Sequence, residues 1–201
     1  MKISQKTFLL LGLLGAIFLV GFTIKDDSKG YELINEIEIS NQQAFDTMMD
    51  VISHPRCINC HPSDRIPKRG MNAIPHPFGM DGAESNLSYE TLLCAACHGE
   101  ENDLSSGKPG APHWDLAPAS MAWDNLTREE IAKSMLNPKN NGNRSYEDIL
   151  KHLTEDELVL WAFNPGTHPD GTARVKPPVS EEDFKEAVKT WFKNGAIIPG
   201  K

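Results

Sequence analysis

The sequence predicts a mostly α protein: a compact domain with long ordered loops, preceded by an N-terminal hydrophobic helix. Three observations predict it. Apolar residues recur at three-to-four spacing in several separate stretches, and no run alternates convincingly as a strand would. The stretches between them are rich in Pro and Gly. All four cysteines fall in two copies of one pattern, "CINCH" at 57–61 and "CAACH" at 94–98.

Along the chain, Lys2 and Lys6 precede an uncharged run from Phe8 to Ile24, and "KDD" ends it. A basic start followed by an apolar stretch is the pattern of an export signal. The run is as long as the shortest spanning helices, and neither an A-x-A site nor a lipid-accepting cysteine follows it. Residues 1–24 therefore read as a signal peptide or, by preference, an N-terminal membrane anchor. With the lysines kept inside, the rest lies extracytoplasmic, on the periplasmic side of the inner membrane. Residues 25–39 read as a polar linker, and 40–201 as the folded domain.

Within that domain, a helix is predicted from Ser40 or Asn41, with Phe45, Met48, Met49 and Ile52 on one face and Pro55 stopping it. "SYETLL" gives a short helical entry into Cys94. Thr127 with Glu130, and Thr154 with Glu157, have capping-box spacing. Ser180 opens a last helix with a buried stripe of Phe184, Ala187, Val188, Trp191 and Phe192, and Gly195 ends it. The formal net charge of −8 argues against nucleic acid, which needs a basic surface.

Three chemistries compete for the cysteine motifs. A disulfide across two intervening residues makes a small strained loop, more typical of redox chemistry than of stapling. A four-cysteine zinc site would leave His61 and His98 idle. With 7 histidines in 201 residues, both motifs gain a following His by chance in roughly one case in 800. Covalent haem requires that arrangement: two thiols add to the vinyl groups, and the adjacent His ligates the iron. The expectation is two covalently bound haem c groups, on Cys57 and Cys60 and on Cys94 and Cys97. His61 and His98 are the proximal ligands. Only 37 positions separate the motifs, so both haems belong to one di-haem cytochrome c-like domain.

Candidates for the sixth ligands are His54, His76, His113, His152 and His168, with Met71, Met80 and Met121. His76 lies between two prolines, and Met121 follows a Pro-rich loop; these two are favoured as distal ligands. His113 is a rival. His54 is read as a packing or hydrogen-bonding residue, and His152 as a solvated residue on a charged helix.

The stretches "HPRCINCHPSDR", "CAACHGEEN", "GAPHWDLAPASMAW" and "LVLWAFNPG" resemble the small di-haem cytochromes named isoquinoline 1-oxidoreductase subunits, over about Phe45 to Gly195. The resemblance implies haem attachment at Cys57, Cys60, Cys94 and Cys97 and iron ligation at His61 and His98. It also implies a redox partner protein of the molybdenum hydroxylase type. The hydroxylase activity is not implied, since no cysteine remains for an iron–sulfur site. The resulting expectation is electron transfer: no catalytic residues, electrons accepted from an extracytoplasmic dehydrogenase and passed to a respiratory acceptor. The alternatives are a di-haem peroxidase-like enzyme with one five-coordinate haem, and a haem-based sensor.

Overall fold

The computed structural model describes residues 28–80, 82 and 94–200. The apolar run 8–24 and the "SYETLL" entry at 88–93 lie outside the described residues. The described chain is mostly helical, as expected. In order come α1 (Ser28–Ile52), α2 (Pro55–Ile58), a two-residue antiparallel ladder of β1 (Lys68–Arg69) with β2 (Ile74–Pro75), then α3 (Arg128–Leu136), α4 (Tyr146–Glu155), α5 (Glu157–Leu160) and α6 (Glu181–Lys193). Short 3₁₀ turns punctuate the loops, among them Cys94–Ala96 and Ala119–Met121.

The core is built on α1 against α6. The expected stripe of α1 is buried, and Phe45 meets Trp191 at 6.0 Å between ring centres. α6 buries Phe184, Ala187, Val188 and Trp191, with Phe192 packed partly buried beside them. Its ends follow the sequence reading. Ser180 Oγ accepts from the Asp183 amide. Gly195 takes the left-handed conformation at φ +86. The Ala196 amide then reaches Trp191 O and the Gly195 amide reaches Phe192 O, which is a Schellman stop. The tail beyond it is pinned twice, because Ile197 O accepts from both Asn41 Nδ2 and Trp191 Nε1 at 2.8 Å.

Three local expectations need correction. α1 starts at or before Ser28, so the described part of the proposed linker is helix and Ser40 or Asn41 is no cap. "YELINEIEI" contains no Gly or Pro and is rich in helix formers, so the helix runs on through it, exposing Tyr31, Leu33, Ile34 and Ile37. The Thr127–Glu130 capping box is present, but the Thr154–Glu157 one is not. Thr154 lies inside α4 and donates to Leu150 O at 2.8 Å, while Asp156 caps α5. The second capping box belongs to Ser145 and Asp148 at the start of α4. An Asp in place of Glu hid it. Finally, the β1–β2 ladder is a small sheet where none was expected; Pro67 O just before it holds the His76 amide at 2.8 Å.

Among the described residues, no helix is long and apolar enough to cross a membrane.

Candidate functional site

The first motif is carried by α2 and the turn after it. His54 is the N-cap: its Nδ1 accepts from the Arg56 amide at 3.2 Å, which gives it the hydrogen-bonding role expected of it. Pro55 occupies the first helical turn, where its missing N–H costs nothing. The turn then closes through Cys60 N to Cys57 O and His61 N to Ile58 O. Three backbone bonds fix it to the 110–124 loop, from Ala117 N to Cys60 O and from Trp123 N and, at 3.5 Å, Asp124 N to His61 O.

His61 is held on two sides. Its ring stacks on Trp123 at 3.5 Å and 7°, and its Nδ1 lies 2.7 Å from Met121 O. A carbonyl only accepts, so Nδ1 carries the proton and the neutral ring keeps its lone pair on Nε2. Burial lowers the His61 pKa to about 4, against the opposing pull of the Met121 bond and with a further lowering from His152. The ring is thus neutral near pH 7 and presents Nε2 as a donor.

The second motif repeats this pattern with different residues. The Cys97 and His98 amides both return to Cys94 O, at 3.1 and 2.9 Å. His98 Nδ1 lies 2.7 Å from Pro109 O, and its ring stacks on Trp114 at 4.7 Å and 9°. Burial, opposed by the Pro109 bond, lowers its pKa, with nearby His76, Lys108 and Arg174 adding to the lowering. Pro109 is delivered by a tight loop in which Asp103 accepts from Ser105 and Ser106. At Gly110 a Cβ would stand 2.3 Å from Glu101 O, so only glycine lets the loop close.

His76 comes to the second motif. Its ring centre is 6.0 Å from that of His98, at an interplanar angle of 66°. Its own Nδ1 is 2.9 Å from Pro77 O. Two imidazoles sharing one iron, each at about 2 Å, have ring centres about 6 Å apart. The spacing of His76 and His98 matches that requirement, and both keep Nε2 as the nitrogen not engaged by a carbonyl.

The first motif opens on a cavity of about 270 Å³ lined by Cys57, Cys60, His61, His113, Trp114, Met121, Trp123, His152 and Trp161, among others. Asp115, Asn141, Arg144 and Asp156 also line it, and two of its polar groups lack a full set of partners. Trp123 is 5% exposed, and its Nε1–H has no acceptor among the described residues. Arg56 is 8% exposed. It donates to Val175 O and lies over the Trp161 ring, but no carboxylate ion-pairs with it among the described residues. A buried cation and an orphaned N–H on a largely apolar cavity suit a flat apolar group carrying carboxylates. Haem, with its two propionates, is such a group, so the residues present fit it. A larger, more open groove of about 560 Å³, which shares Trp161, is lined by Glu100, Glu101 and Glu157 and carries no cysteine or histidine.

The motifs themselves come together. Cys60 feels Cys94, and Asp115 Oδ1 is 3.8 Å from Cys94 Sγ. Cys57 and Cys60 carry free thiols, so no disulfide closes the first turn. Burial, then the neighbouring Cys60, pushes Cys57 up to about 12, and burial pushes Cys60 up to about 11. That is opposite to the lowered pKa of a reactive redox pair. Among the described residues, no three His, Cys, Asp or Glu side chains converge on a metal position. A haem iron needs only two side chains, because the macrocycle supplies the other four ligands.

The remaining candidates fall outside the two centres or change role. His168 hydrogen-bonds through its backbone to Thr172 and Gly171. Met71 is exposed. His113 lines the cavity from an exposed, left-handed position at φ +58. Met121 lines the cavity and is buried in the core cluster, and its carbonyl bonds His61 Nδ1, on the side of the ring facing away from Nε2. His152 is misplaced as a solvated residue: it lines the cavity, with 32% of its side chain exposed. Trp114 and Trp123 were missed; they lie 16 and 62 positions from their histidine partners in sequence, and an aromatic in a Pro-rich loop signals nothing by itself.

No family model, curated protein or solved structure matches the chain.

Proposed function

We propose that the protein is a di-haem c-type cytochrome that transfers electrons, with haem bound through Cys57 and Cys60 and through Cys94 and Cys97, and with His61 and His98 as proximal ligands. The observation that carries the reading is the repeated arrangement of the two motifs: in each, Nδ1 is tied to a carbonyl, the ring lies flat on a tryptophan, and Nε2 is left as the donor. Fixing the tautomer and orientation through the second nitrogen is what a histidine ligand needs. Haem supplies one-electron chemistry when bound. The chain's own part is to hold both groups in one compact unit, to exclude water from the first through the core, and to offer Arg56 and Trp123 Nε1 to propionates.

The donor in this reading is an extracytoplasmic dehydrogenase of the molybdenum hydroxylase type, and the acceptor a respiratory one. Residues 8–24 anchor the domain to the membrane. Haemochrome analysis of the full chain, produced with the c-type maturation machinery, tests the core of the proposal. Two covalent haems are expected, and tightly bound zinc in their place sinks it. Peroxide tests the rival enzyme: two low-spin haems that ignore it fit electron transfer, and turnover of peroxide at a five-coordinate haem fits a peroxidase. Detergent release from a salt-washed membrane pellet tests the anchor, against a soluble mature protein beginning near Lys25.

A further inference from the structure

We infer that His152, and not Met121, is the sixth ligand of the iron held by His61, so that both haems are bis-histidine centres. The inference rests on the proposed haem attachment and deepens it. His152 lies on α4, and the cavity that Cys57, Cys60 and His61 open onto is lined by His152 as well. Its Nδ1 is 2.9 Å from Asp156 Oδ2. That carboxylate is itself immobilised, because Asp156 caps α5 and its Oδ1 accepts from the Leu158 amide at 3.0 Å. The ring is therefore oriented through one nitrogen by a fixed partner, which leaves Nε2 as the nitrogen available to a metal. Carboxylate-to-histidine orientation of this kind is the usual support for a ligating imidazole.

The second centre supplies the comparison. There His76 and His98 each engage a carbonyl through Nδ1 and stand 6.0 Å apart. At the first centre a carbonyl stands behind the His61 ring and a carboxylate behind the His152 ring, and both residues line the same cavity. Met121 cannot join them on the far side of the iron, since its backbone stands behind His61.

A carboxylate behind one axial imidazole makes that ligand more basic and favours ferric iron. The haem of His61 should therefore be low in potential despite its burial. The test uses the full-length holoprotein, with haem content, ferrous carbon monoxide binding and near-infrared absorption as readouts. In the wild type both haems are expected to be low-spin, closed to carbon monoxide and without the near-infrared band of a thioether–iron bond. His152→Ala should retain two covalent haems and open one of them to carbon monoxide. His152→Met should introduce the thioether band, and Asp156→Asn should raise the potential of one haem without opening it. Met121→Leu should leave both haems closed. A wild-type thioether band that Met121→Leu abolishes, or two haems that stay closed in His152→Ala, overturns the assignment alone. A wild-type protein with no covalent haem overturns the functional reading, and this inference with it.

Discussion

The first Cys-x2-Cys-His turn is packed into the main core, and the second lies in a loop at its edge. His61 sits between buried Trp123 and the cavity wall, and Cys57 and Ile58 pack against the hydrophobic cluster. At the second turn Cys97 is exposed, and the stacking partner Trp114 is only half-buried. The same five-residue grammar thus serves two environments. What differs is the supply of neighbours: helices α1, α4 and α6 bring side chains to the cluster around the first turn, whereas the second is completed by loop backbone at Pro109 and Pro77. A buried centre exchanges electrons slowly with outside partners and an exposed one quickly. On the proposed function, the second centre is the port and the first the interior station.

The largest effect expected from this asymmetry is on folding. Cys57→Ala with Cys60→Ala should remove one haem and leave the 270 Å³ cavity unfilled, at a cost on the order of several kcal/mol, comparable with total domain stability. Cys94→Ala with Cys97→Ala should also remove one haem but leave a cooperative fold. Haem counting together with thermal unfolding by circular dichroism distinguishes the two; equal destabilisation would break the comparison.

The tryptophans give a smaller contrast. Trp123→Ala removes a buried ring and should cost about 3–5 kcal/mol, while Trp114→Ala should cost about half as much because it is already partly solvated. Urea midpoints measure the difference. In redox titration, Trp114→Ala should disturb the haem of His98 more than that of His61.

Acid should produce the smallest effect, and at the second centre first. Hydrogen bonds from Ser106 and Ser105 hold the Asp103 carboxyl below the ordinary carboxylate range. A depressed folded pKa contributes stability that is fully present above the unfolded value, near 4, and is lost progressively as pH falls from there through the lower folded value. The 103–108 loop, and with it Pro109 O behind His98, should therefore loosen progressively at pH well below about 4, as the folded carboxyl takes up its proton. A change in the spectrum of one haem in that range, absent from Asp103→Asn, sharpens the comparison. Simultaneous change at both haems defeats it.

What the sequence made legible follows from the same asymmetry. Elements with strong local chemistry were readable: the Ser180 cap, the Gly195 stop, the Thr127 box and the buried stripes of α1 and α6. α1 was cut short because its first turns have no buried stripe to betray them, only permissive residues. The Ser145 box is hidden because Asp148, not a Glu, stands at its third position, and α4 and α5 abut at Asp156 with no Gly or Pro between them. At the site, the motif histidines were readable from spacing alone. His152 was not, because "YEDILKHLTEDE" is dominated by charge. Yet His152 follows Ile149 by three and adjoins Leu153, both buried, which places it at the margin of the helix's inner stripe. The tryptophan shelves depend on chain reversals that no local pattern encodes.

Trp114 belongs to both centres at once. One face lies against His98, and the residue also lines the cavity of the first motif, where it meets Trp161 edge-on at 4.9 Å. A shared wall makes the two rooms energetically inseparable. Truncations placed on opposite sides of it, such as His98→Ala and Trp161→Ala, should fail to add in a double-mutant cycle, with an interaction term on the order of 0.5–3 kcal/mol that vanishes when Trp114 is already gone. One indole thus contributes to both centres, and whatever shifts that ring is felt in both.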